Sequence, residues 1–293
     1  MGSSVFAVFL PLALALVMFG LGLTLTVEDF ARVLKYPKAA VVALACQIVL
    51  LPVICFGMVL AFGLTGALAV GMLLLVASPG GTSANLFSHI AGGDVALNIT
   101  LTAINSVLAV FTMPVVVTLA IARFMDADST IGLQPAKFIQ VIAIVLIPVA
   151  IGMWVRRKYS GWAERMRKPV KIGSVVVLVL VILAAVVSGF SAVRDDLAKI
   201  GTIALLLSVC SLLVGYFVPR LFGIGKAQAI ASAMEIGIHN ATLAIAVAVT
   251  ALDNETMAIP AATYGIVMFG PAALAAYLLA RQAKRTPEVV VAE

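Results

Sequence analysis

Charge is what this chain has least of. Of its 293 residues, 11% are charged, where a soluble domain carries about 25%. Beside 63% hydrophobic residues, that deficit excludes an ordinary water-soluble protein and implies an integral membrane protein. Cysteine is scarce too. Cys46, Cys55 and Cys210 fall in apolar stretches without paired spacing. They read as small buried hydrophobes, and neither a disulfide nor a metal site follows from them. The histidines are His89 and His239 alone. There is no His-Glu-x-x-His run and no Gly-rich loop ending in Lys, so a zinc hydrolase and a nucleotide-driven pump both lack their parts. An intramembrane enzyme needs a nucleophile–base pair or a metal cluster at depth, and no catalytic residue can be assigned. A soluble domain is missing as well, because the longest gap between apolar runs, about Arg156 to Lys171, is too short for one. The net charge of +6 does not indicate a nucleic-acid partner. The basic residues lie in short gaps between apolar runs, not on one polar face.

What is present is a succession of apolar runs, each near the roughly 20 residues that cross a bilayer as a helix. Nine can be drawn: Val5–Leu25, Ala39–Phe62, Gly66–Ile90, Val95–Ala122, Phe138–Val155, Ile172–Phe190, Ile200–Val218, Ala227–Leu252 and Met257–Ala280. Their length, and the absence of period-two alternation, favour helices over barrel strands. The first run has no basic flank and no small-residue cleavage site, so it reads as a retained span. Of the 19 Lys and Arg residues, all but Arg123, Lys137, Arg194 and Lys199 lie in the gaps after spans one, five, seven and nine. Lys and Arg collect on the cytoplasmic side. The expected topology therefore has the N-terminus outside and the C-terminus in the cytoplasm, with residues 286–293 as a flexible tail. Trp154 and Trp162 fall at the cytoplasmic end of the fifth span, where interfacial tryptophans are common.

Two spans are interrupted. The third carries Ser78-Pro79-Gly80-Gly81-Thr82-Ser83-Ala84-Asn85, and the eighth carries Glu235-Ile236-Gly237-Ile238-His239-Asn240. Proline supplies no N–H and glycine is a poor helix former, so the third span is expected to break. A carboxylate at mid-depth costs about 3 kcal/mol on insertion scales and needs a partner or a cavity. A broken membrane helix exposes carbonyls that suit a cation and N–H groups that suit an anion. One Pro-Gly kink is explained by packing alone. Two interruptions in corresponding positions, one with an ionisable group, point to a transport site. Matching the third span to the eighth pairs the second with the seventh and the first with the sixth. The fifth then stands alone, as expected of an inverted repeat of five helices whose first copy lacks one.

Pro79-Gly80-Gly81-Thr82 through Asn85, Asp94-Val95-Ala96-Leu97, and Glu235-x-Gly237-x-x-Asn240 resemble the bile acid:sodium symporter family. Gln47 five residues before Pro52 fits, as does Met18-Phe19-Gly20-Leu21-Gly22-Leu23-Thr24-Leu25. The resemblance implies an all-α integral membrane protein in the nine-helix form, with two broken helices that cross. Panel helices would be about 5–25, 138–155 and 172–190; core helices would lie within about 39–122 and 200–280. It implies two sodium sites. The first would draw on Ala84, Asn85, Asn98, Thr102 and Glu235. The second would draw on Gln47, Glu235, His239 and the carbonyls of Ile236 and Ile238. No metal beyond sodium is implied, and no cofactor. Oxygen ligands with one carboxylate suit a hard cation.

Three positions depart from the family pattern. Ala84 stands where serine is usual and can offer only its carbonyl. Asn98 replaces a serine and keeps an oxygen. His239 replaces a glutamine, and neutral imidazole binds through nitrogen, a poor match for sodium. The leading expectation is a sodium-coupled symporter that imports an organic anion, such as a small carboxylate or a bile-acid-like molecule. Its carboxylate would meet the helix starts at Thr82, Ser83 and Asn240. The alternative is proton coupling through His239 and Glu235, since unperturbed imidazole titrates near about pH 6.5. The expected setting is a bacterial inner membrane. Asn105 and Thr242 read as packing or lining residues, His89 as an interfacial one, and Asp195 with Asp196 as a solvated pair.

Overall fold

The computed structural model describes residues 15–16, 18–125, 135–166, 168–170, 172–173 and 196–285. Most of the first expected span, nearly all of the sixth, Arg167, Lys171, Arg194, Asp195 and the 286–293 tail lie outside the described residues. Among the described residues the architecture is all-α, with a single isolated bridge and no strand.

Residues 18–22 are helical and end in a turn at 23–24. A short helix α1, Val27–Ala31, follows, closed by a capping box between Thr26 and Asp29. It was not expected from the apolar pattern, because its stability comes from local bonds: Asp29 accepts from Thr26 and pairs with Arg32 at 3.0 Å. Helix α2 spans Pro37–Ala61, with proline in its first turn, where no N–H is needed. It contains a π turn at Cys46–Leu50 in which the Leu51 N–H reaches back to Cys46 O. Pro52 has no N–H to give, and the wider turn precedes it. Gln47 sits in that turn.

Further helices are α3 (Gly66–Val76), α4 (Ala84–Ile90), α5 (Val95–Phe124), α6 (Pro135–Lys158), α7 (Leu197–Leu221), α8 (Lys226–Gly237), α9 (Ala241–Thr250), α10 (Ala258–Val267) and α11 (Phe269–Arg285), and residues 160–166 are helical as well. Asp94 caps α5, accepting from Leu97 N–H at 3.0 Å. At 30 residues α5 is about 45 Å long, more than the hydrocarbon core requires. The ninth span was drawn as one helix. The structure keeps it one helical stretch over Ala258–Gln282, loosened at Met268, whose N–H still donates to Tyr264 O at 2.8 Å, because Pro271 withdraws the N–H that Val267 O would accept.

Four helical stretches among the described residues are long and apolar enough to cross a membrane: Pro37–Ala61, Val95–Phe124, Leu197–Leu221 and Ala258–Gln282. Their outward faces are also apolar. Val49 and Val53 on α2, Phe111, Val115 and Leu119 on α5, and Leu213 and Phe217 on α7 are all exposed, at the i, i+4 spacing of one helix face. Apolar surface this extensive suits a lipid environment and would be an aggregation hazard in water. The protein is a multi-pass membrane protein.

Inside, the core is built on close approaches. A Cβ at Gly215 of α7 would lie 2.7 Å from Ala233 Cα of α8, so these helices pack almost backbone to backbone, as small residues permit in membranes. Helix α3 packs against α5, α9 and α10, while α8 packs against α4, α5 and α7. Thus the leading half of each interrupted span lies against the trailing half of the other.

Candidate cation site at a helix crossing

The two interruptions meet. Helix α3 ends at Val76 and α4 begins at Ala84; α8 ends at Gly237 and α9 begins at Ala241. Across the gap Gly81 N–H donates to Ile238 O at 2.6 Å, and Asn240 N–H donates to Pro79 O at 2.8 Å. Gly80 and His239 form an antiparallel bridge. Backbone groups that each break leaves without a partner are in part satisfied by the other break. Asn240 caps its own helix, its Oδ1 accepting from Leu243 N–H at 3.0 Å. The Tyr264 hydroxyl of α10 donates to Gly237 O at 3.0 Å, covering a carbonyl at the end of α8.

Glu235 lies at this crossing, 2% exposed. Its Oε1 accepts from Gly80 N–H at 3.2 Å. Its Oε2 lies 2.5 Å from Thr102 Oγ1 and 3.4 Å from Asn98 Nδ2, both on α5. Asn98 Nδ2 is held by Ala231 O at 2.9 Å, which turns the amide oxygen elsewhere. That oxygen, Asn98 Oδ1, is buried and has no partner among the described residues. The same holds for Asn85 Oδ1 on α4. A Cβ at residue 80 would overlap the Glu235 carboxyl group. Glycine there is a spatial requirement of the carboxylate.

A second polar group flanks the first. Gln47 Nε2 donates to Ser78 O at 3.0 Å, reaches Val76 O at 3.5 Å and lies 3.2 Å from His239 Nδ1. Gln47 Oε1 and His239 Nε2 are buried and unpartnered among the described residues. The His239 ring lies 5.3 Å from that of Tyr264.

The expected residues divide as follows. Asn98, Thr102 and Glu235 come together, and Gln47 and His239 touch each other. Ala84 is buried and its N–H donates to Gly81 O at 2.9 Å. Thr82 is exposed and Ser83 half-buried, both just before α4. Asn240 is half-buried at the start of α9. Among the described residues no three His, Cys, Asp or Glu side chains gather, so the polar set is amide, hydroxyl and backbone oxygen around one carboxylate. Beside it runs a narrow crevice lined by Met18, Leu21 and Leu25, by Ala103, Ser106 and Val107 of α5, by Leu146 and Val149 of α6, and by Leu243 of α9. Ser106 donates to Thr102 O at 2.6 Å, so the crevice adjoins the site.

The profile of the sodium bile acid symporter family matches residues 11–195. The chain belongs to that family. Its relatives in this family include a Bacillus subtilis protein named as the sodium-dependent transporter YocS, 29% identical over 263 residues, which are 88% of this chain and 78% of that one. The ileal sodium/bile acid cotransporter of Mus musculus is 30% identical over 246 residues, 82% of this chain and 69% of that one. The Arabidopsis thaliana protein named probable sodium/metabolite cotransporter BASS1, chloroplastic, is 27% identical over 256 residues, 86% of this chain and 62% of that one. As a member of this family the protein is a transporter and not an enzyme.

Sequence reasoning missed four contributors to this transporter's crossing. The Gly80 amide was seen as a helix breaker, not as a donor to Glu235. Ser78 O and Ala231 O, which orient Gln47 and Asn98, are backbone atoms and carry no residue-type signal. Tyr264 did carry one, as a hydroxyl in an apolar span, but its partner is 27 residues away.

Proposed function

We propose that the protein is a sodium-coupled symporter that imports an organic anion by alternating access. The observation that carries this reading is the buried Glu235 carboxylate against Asn98 and Thr102, with two buried amide oxygens left without partners among the described residues, Asn98 Oδ1 on α5 and Asn85 Oδ1 on α4. A buried charge and unpaired acceptors each cost free energy unless something compensates them. A small hard cation among these oxygens would do so. Sodium is then cargo at a site drawn from Asn85, Asn98, Thr102, Glu235 and the Ala84 carbonyl. It would neutralise Glu235 and draw α4, α5 and α8 together, fixing the crossing before substrate arrives.

The substrate reading is a small carboxylate or a bile-acid-like anion. Its charged end would face the helix starts at Thr82, Ser83 and Asn240, where N–H groups and the helix dipole favour an anion. The helices at 5–25, 138–155 and 172–190 would form a panel, and those within 39–122 and 200–280 a core, in an inverted repeat of nine spans. Rocking of one against the other would open the site to alternate sides. The setting would be a bacterial inner membrane, N-terminus outside and C-terminus in the cytoplasm.

The test is uptake of a panel of small carboxylates and bile acids into proteoliposomes, with sodium inside and outside set independently. Sodium-gradient-dependent accumulation supports the reading. Accumulation that survives replacement of sodium by lithium or potassium, and stops when the pH gradient is collapsed, would instead assign proton coupling through His239 and Glu235. Flux indifferent to either gradient would indicate a channel.

A further inference from the structure

One outward face of α6 joins an apolar track to a cluster of cations. Ile147, Ile151 and Trp154 are exposed along it, and Lys158, also exposed, follows Trp154 at i, i+4 on the same face. From Ile147 to Lys158 the helix rises about 17 Å, close to the roughly 15 Å of hydrocarbon in one leaflet. Lys158 Nζ lies 5.2 Å from the centre of the Trp154 ring and 5.6 Å from that of Tyr159. These two rings meet edge to face at 6.2 Å, and each is about half exposed. The helical segment 160–166 continues the surface. Its inner side is docked, with Ala163 and then Val170 buried against Leu23, and Phe19 and Met166 packed beside them. Its outer side presents Trp162 and Arg165, with Lys168 beyond, all exposed.

The charges here are not balanced within the protein. Glu164 is the only acidic residue from 156 to 171, and Arg156 takes it at 3.8 Å while donating to Leu23 O at 3.0 Å. Arg157, Lys158, Arg165 and Lys168 have no carboxylate within ion-pair distance among the described residues. Topology alone does not require this. The other basic gaps supply an excess of Lys and Arg with two or three residues each, and there Arg32 pairs with Asp29 and Arg220 donates to Ile224 O. We propose that this surface is a binding site for an anionic phospholipid, with an acyl chain along Ile147 and Ile151 and the phosphate among Arg157, Lys158, Arg165 and Lys168. Guanidinium and ammonium groups donate to phosphate oxygens, and such clusters beside a span attract anionic headgroups. Tryptophan and tyrosine rings settle at headgroup depth. A free phosphate, a nucleic acid or an acidic peptide would use the cations and leave the apolar track unused; a lipid uses both. Through Leu23 the bound lipid would tie the end of α6 and the first helix to the bilayer surface.

Trp154 and Trp162 are the two tryptophans of the chain, so intrinsic fluorescence reads this surface alone. The wild-type protein is reconstituted into bilayers of phosphatidylcholine containing a rising fraction of phosphatidylglycerol with brominated acyl chains, which quench nearby tryptophan. Brominated phosphatidylcholine at the same fractions is the reference. The expected result is a preference of about fivefold or more for phosphatidylglycerol, falling toward equality in about 1 M salt, where the screening length is about 3 Å. A protein carrying Arg157→Gln, Lys158→Gln, Arg165→Gln and Lys168→Gln together, with wild-type helix content, is expected to show no preference. Equal quenching of the wild type by the two lipids would overturn the proposal. A preference abolished by inorganic phosphate, but not by chloride at the same ionic strength, would assign the cations to free phosphate and overturn the lipid site. A folded quadruple variant that keeps the preference would overturn the assignment to these four residues. The wild-type comparison is decisive even if the variant does not fold.

Discussion

Replacing Glu235 with glutamine keeps the shape of the side chain and removes its charge. The carboxylate is buried at the crossing against Gly80 N–H, Asn98 Nδ2 and Thr102 Oγ1, and all three act as donors to it. A glutamine oxygen can accept from one side of that set only. Its NH2 must then meet a donor on the other. For a sodium ion the larger loss is Coulombic. Two unit charges 4 Å apart attract by about 4 kcal/mol at the effective dielectric constant of about 20 that suits protein sites. At about 1.4 kcal/mol per tenfold, that weakens sodium binding by about three orders of magnitude. Removing a buried charge also removes its desolvation cost, so the fold is expected to survive. The assay is sodium binding to purified protein, with thermal unfolding in detergent as the control and sodium-driven uptake as the functional readout. The expected outcome is a folded protein that neither binds sodium at millimolar concentrations nor accumulates substrate. Sodium affinity within tenfold of wild type, in a folded Glu235→Gln protein, would falsify the placement of the cation at this carboxylate.

Three further substitutions probe the same crossing. Gly80→Ala puts a methyl group where the Glu235 carboxyl group lies; the crossing must open, and sodium-driven uptake should be lost, with a stability decrease of about 1–3 kcal/mol read by thermal unfolding. Thr102→Val keeps the volume and removes the hydroxyl beside Glu235 Oε2; the half-saturating sodium concentration should rise about tenfold or more, the equivalent of one lost charge-assisted bond, while maximal uptake at saturating sodium changes little. Tyr264→Phe deletes the bond to Gly237 O without touching the acidic site. It should lower stability by about 1 kcal/mol and leave the sodium dependence of uptake unchanged, and an altered sodium dependence would tie the end of α8 directly to ion binding.

Composition and punctuation fixed the membrane character and the places where helices must fail. With 11% charged residues and 63% hydrophobic ones, the chain can satisfy its backbone in lipid only by forming helices or a closed barrel. Pro79, Gly80 and Gly81 end α3 because proline lacks a donor and glycine resists helix. Glu235 was legible as a site residue from its cost alone, since no other feature of an apolar span accounts for a carboxylate there. Local chemistry also made Asp94 and Asn240 readable as helix starts in retrospect, for both cap a helix with their own side chain.

Other features were not legible, because their causes lie between segments distant in sequence. Gly80 and Glu235 are 155 positions apart, and nothing local says that a glycine amide will hold that carboxylate. The opposite roles of the two ends of Gln47 depend on Ser78 O and Val76 O, backbone atoms that residue identity does not reveal. Nor does the sequence say that the imidazole of His239 will lie against the Gln47 amide, 192 positions earlier. Sequence alone determined that this chain crosses a membrane and breaks twice inside it. Tertiary structure decided that the two breaks meet, that each satisfies part of the other's backbone, and which buried polar atoms among the described residues are left over. Helix propensity and hydrophobicity act over a few residues, whereas the pairing of buried polar groups is set only when the helices pack.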